Sequence, residues 1–149
     1  MYDRILLSTD GTVASEAAEA HAIELAATHD AVLHALYVVD ESIVTAYSGD
    51  EYVDEAEGPE HGLEEVGRET LSDVRAAASD AGVEVRTAIE HGYPAETIVD
   101  YAEEYDIDLL VLGTTHRAVE YRALLGSVTD RVLRLTTRPS VVVKTEVDD

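Results

Sequence analysis

Phosphate groups are held by backbone N–H groups at glycine turns and at the first turns of helices, where the donors have no intrahelical partner. Several short stretches have that character: Thr9-Asp10-Gly11-Thr12, His91-Gly92-Tyr93-Pro94, and Gly113-Thr114-Thr115-His116. The last is followed by Gly126-Ser127-Val128-Thr129, which reads as the start of a helix. Ser127-Val128-Thr129-Asp130 also fits an S/T-x-x-D/E capping pattern. The two roles use the same helix end and are compatible. Asp10 and Thr12 are equally suited to cap the helix that follows them.

Charge points to the same region. Gly113 to Lys144 carries Arg117, Arg122, Arg131, Arg134, Arg138 and Lys144 against Glu120 and Asp130, a local +4 in a chain of −22. An acidic protein repels anionic ligands unless one region is neutral or basic. The alternative is that these cations pair with neighbouring acids or coat an interface.

Other chemistries are poorly represented. No Walker loop, no G-x-G-x-x-G after the first strand, no G-x-S-x-G elbow and no H-E-x-x-H occurs. The absence of cysteine removes disulfides, thiolate metal sites and thiol nucleophiles. Histidines are scattered; His21 and His29 are eight apart, too far for a two-ligand clamp, and His61 lies alone in an acidic stretch. We expect no metal held by the protein and no catalytic residue.

These loops need a frame. Short apolar runs alternate with helical periodicity. Strands are expected at Ile5–Thr9, Ala31–Val39, Val83–Glu90, Asp108–Leu112 and Ser140–Lys144. Helices are expected at Ser15–Thr28, Leu63–Ala81, Pro94–Tyr105 and Gly126–Leu135, with Ala18, Ala22, Leu25 and Ala26 at core spacing, Gly82 closing the second and Pro94 opening the third. Unbroken apolar strands between amphipathic helices imply a parallel sheet covered on both faces, hence a doubly wound α/β domain. Ligands in such folds bind beyond the carboxyl ends of the strands, where the winding reverses; the loops there are Thr9-Asp10-Gly11-Thr12, Val39-Asp40, His91-Gly92-Tyr93-Pro94 and Gly113-Thr114-Thr115-His116. Asp40 to Glu65 interrupts the pattern with ten acids and no Lys or Arg; an acidic insertion is expected over about 40–62, read as a solvated connection.

With 149 residues the chain suits one domain over 1–149. No apolar run approaches the ~18–20 residues of a membrane span, and the amino terminus lacks a signal pattern, so a cytoplasmic location is expected. Asp and Glu number 32 against 10 Lys and Arg. Such charge repels nucleic acid and anionic lipid, and it costs stability by self-repulsion unless salt screens it. Since Lys144 is the sole lysine, the balance suits a host with a salty, screening cytoplasm.

Gly113 through Val143, with its Gly-Ser-Val-Thr-Asp-Arg-Val and Arg138-Pro139-Ser140-Val141-Val142-Val143 runs, resembles the carboxyl third of the universal stress protein family. Arg4-Ile5-Leu6-Leu7-Ser8-Thr9-Asp10-Gly11-Thr12 is similar to its first strand and turn, and Gly92-Tyr93-Pro94-Ala95 to its third strand-to-helix loop. The resemblance implies a five-stranded sheet ordered 3-2-1-4-5, of the adenine nucleotide alpha-hydrolase-like kind. It further implies a homodimer through the last strand, Ser140 to Lys144, and ATP or AMP/ADP bound as a regulatory switch, with Mg²⁺ carried by the phosphates. By the same resemblance Ser8, Thr9 and Asp10 end strand one, with Asp10 near the ribose. Val38 meets adenine through its backbone, and Leu112 and Gly113 floor the pocket. Gly126, Ser127, Val128 and Thr129 cradle phosphate. ATP-binding members carry G-x2-G-x9-G-[ST]; Gly113 and Gly126-Ser127 fit, while His116 stands where the middle glycine belongs. Either His116 swings aside or it fills the pocket, which would leave a nucleotide-independent dimeric interaction protein.

Overall fold

The computed structural model describes residues 1–11, 13–41, 59–117 and 127–147. Its elements alternate: β1 (Arg4–Ser8), α1 (Val13–His29), β2 (Val32–Asp40), α2 (Pro59–Asp80), β3 (Val85–Gly92), α3 (Pro94–Glu104), β4 (Leu109–Arg117), α4 (Ser127–Leu135) and β5 (Ser140–Val147). The five strands form one parallel sheet ordered β3-β2-β1-β4-β5, as the resemblance implied.

Strand side chains alternate between faces, and the core divides accordingly. Ile5 and Leu7 of β1, Leu33, Ala35, Tyr37 and Val39 of β2, and Leu109 and Val111 of β4 face α1 and α2. Leu6, Leu36, Leu110 and Leu112 face the other way, against Ile98, Val99 and Ala102 of α3 and Val132 of α4. Helix α1 presents Ala18, Ala22 and Ala26, all fully buried, on one stripe; their small side chains bring the helix close to the sheet. Leu25, expected beside them, is only half-buried.

Three helices end alike. Asp30, Gly82 and Asp106 adopt left-handed backbone with φ of 53°, 72° and 50°. In each case the next N–H returns to a carbonyl five residues back: Ala31 to Ala26, Val83 to Ala78 and Ile107 to Ala102, each at 2.9 Å. This 6→1 bond satisfies an orphan carbonyl and turns the chain into the next strand.

Two expectations are corrected. Helix α2 starts at Pro59, not Leu63, because proline suits the first helical position. The expected insertion over 40–62 therefore overlaps β2 at Asp40 and the first turn of α2, and residues 42–58 of it lie outside the described residues. Strand β4 does not stop at Leu112 but continues to Arg117, paired from Gly113↔Val143 to Arg117↔Val147. The β-branched Thr114 and Thr115 favour extended backbone, and β5 supplies the partner. Among the described residues no helix is long and apolar enough to cross a membrane.

Candidate functional site

The winding reverses between β1 and β4, which are neighbours in the sheet but whose following helices cover opposite faces. A cavity of about 290 Å³ opens there. The end of β1 contributes Ser8, Thr9 and Asp10; β2 contributes Tyr37, Val38 and Asp40; β4 contributes Leu112 and Gly113; and α4 contributes Val128 and Thr129. Ser15 of α1, Leu63 of α2 and Pro94 of α3 complete the wall. Ser127 lines an adjoining cavity of about 400 Å³ that shares Asp40, Pro94 and Val128 with the first and also holds Tyr93, Glu96 and Arg131.

The first turn of the site is tied in two places. Thr9, only 3% exposed, donates its N–H to Leu36 O at 3.0 Å. Its hydroxyl donates to Glu19 Oε1 at 2.6 Å and accepts the Gly11 N–H at 3.4 Å. Asp10 Oδ1 accepts from the Ser15 hydroxyl at 2.9 Å, and the Asp10 N–H returns to Ser15 Oγ at 3.4 Å. Asp10 thus both fastens the loop to Ser15 of α1 and borders the cavity. Gly11 has φ +77°, and a Cβ there would come 2.7 Å from Thr70 Oγ1, so a side chain is excluded by conformation and by space.

The far wall is tied across the switch point. Thr129 donates its hydroxyl to Gly113 O at 3.2 Å, fixing the first turn of α4 on the floor of the cavity. The helix begins at Ser127, and Gly126 before it lies outside the described residues. His116 belongs to β4 opposite Glu146, three residues or about 10 Å along the strand from Gly113; its side chain lies outside the described residues.

Electrostatically the wall is acidic. Burial pushes the Glu19 carboxyl above its ordinary range, opposed by the Thr9 hydrogen bond and reinforced by Glu16, Asp73 and Asp10. Burial and the Asp10 charge raise the Tyr37 hydroxyl. The basic carboxyl-terminal stretch is partly spent on pairs. Arg131 donates to Glu96, holding that exposed carboxyl below its usual range, and Arg134 meets Asp130 at 3.1 Å. Arg117 and Arg122 offer no described side chains. His91 lies 2.9 Å from Glu64 and 3.9 Å from Glu41, and none of the three lines the cavity. Among the described residues no three acidic or histidine side chains gather as a metal site.

Asp40 and Pro94, expected in the loops at the carboxyl ends of their strands, do line the cavity; Tyr37, Ser15 and Leu63 were not expected in its wall. Glu19 gave no signal, because its bond to Thr9 spans ten residues.

Fold and cavity define a doubly wound α/β protein with a ligand-sized opening at its switch point. The comparisons narrow that class: the universal stress protein family model matches residues 1–144, and the chain belongs to that family. It is 38% identical over 147 residues to the universal stress protein MJ0531 of Methanocaldococcus jannaschii, covering 97% of this chain and 83% of that one. The solved structure of MJ0577, a universal stress protein of the same organism, superposes with a TM-score of 0.77 at 27% identity, over 97% of this chain and 96% of that one. A universal stress protein of Archaeoglobus fulgidus, solved in complex with dAMP, has the same fold with a TM-score of 0.67 at 18% identity, over 96% and 98% of the two chains.

Proposed function

We propose that this universal stress protein binds an adenine nucleotide at the switch-point cavity, as a regulatory ligand and without a catalytic step. The carrying observation is the cavity itself, which gathers Ser8, Thr9, Asp10, Val38, Leu112, Gly113, Val128 and Thr129 around one opening. Its volume of about 290 Å³ lies at the low end of the ~300–1,000 Å³ usual for ligand sites. That is room for a nucleoside but not for a triphosphate as well. The phosphates then lie over the first turn of α4, in the adjoining space lined by Ser127, Val128 and Arg131. Gly126 and His116 complete that cradle in this reading. The dAMP complex of the Archaeoglobus fulgidus relative supports adenine as the base. Mg²⁺ travels with the phosphates of ATP, as is usual for an ion that keeps most of its water.

The protein in this reading is a homodimer joined along β5. That strand is the outermost on its side, and an eight-residue edge with open N–H and C=O groups is a pairing surface.

The test is calorimetric titration of ATP, ADP and AMP, with Mg²⁺ and molar KCl, into nucleotide-stripped wild type and His116→Gly. Micromolar binding by the wild type, about −8 kcal/mol, is the expected result. No wild-type heat with binding restored by glycine overturns it, and leaves a dimeric interaction protein whose pocket one side chain closes.

A further inference from the structure

Thr9 is the joint of the β1–α1 loop. Its backbone is fixed to β2, and its hydroxyl joins the loop to Glu19 of α1 and to the Gly11 N–H. Being 3% exposed, that hydroxyl makes its bonds with little competition from water. Which way it points depends on its partner. Glu19 is half-buried and receives the 2.6 Å bond. The charged groups that act on Glu19 are Glu16 on its own helix, Asp73 from α2 and Asp10 from the loop, all acidic.

We infer that Glu19 is a positioning residue of the cavity, and that gain or loss of its proton sets the direction of the Thr9 hydroxyl and so the order of the loop carrying Asp10 and Gly11. The consequence for ligand affinity rests on the nucleotide reading above. An ionised carboxylate can only accept. Thr9 must then donate to it, which turns the hydroxyl lone pairs to the Gly11 N–H. A protonated Glu19 can donate instead. The Thr9 hydroxyl is then released to rotate, and Gly11 loses its oriented acceptor. Burial, opposed by the Thr9 hydrogen bond and reinforced by three acidic neighbours, moves this exchange upward from the ordinary carboxyl range. Glu19 touches no ligand and acts only through Thr9.

The experiment uses the full chain in molar KCl, as wild type, Glu19→Leu and Glu19→Gln, across a range of roughly pH 4 to 7.5, from the ordinary carboxyl value upward. Amide hydrogen exchange at Gly11 is read in the free protein by NMR, with the Val83 amide as a distant control, and ATP affinity is read by calorimetry. Leucine removes the acceptor. Gly11 exchange is expected to rise and ATP affinity to fall, each about tenfold, with Val83 unchanged. Glutamine keeps an accepting oxygen but cannot titrate; it is expected to match ionised wild type and to lose the titration step both in Gly11 protection, taken as the exchange rate relative to that of the free amide at the same pH, and in ATP affinity. A leucine variant with wild-type Gly11 exchange, or a glutamine variant with the wild-type pH profile, overturns the inference. If leucine does not fold, the glutamine profile decides alone. If no protein binds ATP, the nucleotide reading fails, while Gly11 exchange still decides the positioning role.

Discussion

His34 and Tyr101 show what a polar pair does inside an apolar layer. His34 Nδ1 lies 2.8 Å from the Tyr101 hydroxyl, and Tyr105 packs against both rings. Burial, and after it Arg86 and Arg4, holds the imidazole below its ordinary range, while burial and then Tyr105 push the Tyr101 hydroxyl up to about 12. The unfolded chain therefore takes up the histidine proton at a higher pH than the native one. Stability is full above the ordinary histidine value of about 6.5 and is lost as pH falls below it toward the folded value. Tyr101→Phe leaves the imidazole nitrogen without its partner and is expected to cost about 1–3 kcal/mol in urea titration at pH 7. A cost near zero would mean that water replaces the hydroxyl. Neither partner stood out in the sequence, because a histidine in a strand and a tyrosine in a helix announce no contact across 67 residues.

At the scale of elements, α2 and β2 meet through Tyr37 and Gly67. A Cβ on Gly67 would stand 2.6 Å from Tyr37 Cδ1, and Tyr37 borders the cavity. Gly67→Ala must push the ring toward the cavity or the helix away from the sheet. Overpacking of this kind costs about 1–3 kcal/mol, and thermal unfolding measures it. The same substitution is expected to weaken nucleotide binding in the calorimeter, since the ring is part of the wall. The elements themselves were legible, because runs such as Ile5-Leu6-Leu7 and the Ala18, Ala22, Ala26 stripe report burial directly. The reach of β4 was not. Gly113, Thr114 and Thr115 read as a loop until β5 is placed beside them, and pairing rather than local propensity carries the strand to Arg117. The start of α2 was missed because the acidic surroundings of Pro59 masked a proline suited to open a helix.

Over the whole molecule the net charge of −22 sets the conditions under which everything above holds. Exposed pairs such as Arg134–Asp130 contribute little, so repulsion is relieved chiefly by ions. The screening length falls from about 10 Å at 0.1 M to about 3 Å at 1 M salt. The melting temperature is therefore expected to climb steeply with KCl over that interval and to flatten beyond it; a flat profile throughout would remove the salt-adapted reading. The location of the candidate site was legible at this scale, since the switch point follows from topology. Its hydrogen bonds were not, because Thr9 with Glu19 and Thr129 with Gly113 become neighbours only when the sheet is assembled.

The outer strand has a further use. Lys144 is the sole lysine of the chain, and it stands exposed on β5. Apart from the terminal amine, an amine-directed fluorophore has one attachment point, and no residue need be introduced to obtain it. Energy transfer between copies labelled there would report their meeting along that edge, and loss of labelling would mark the same edge as covered.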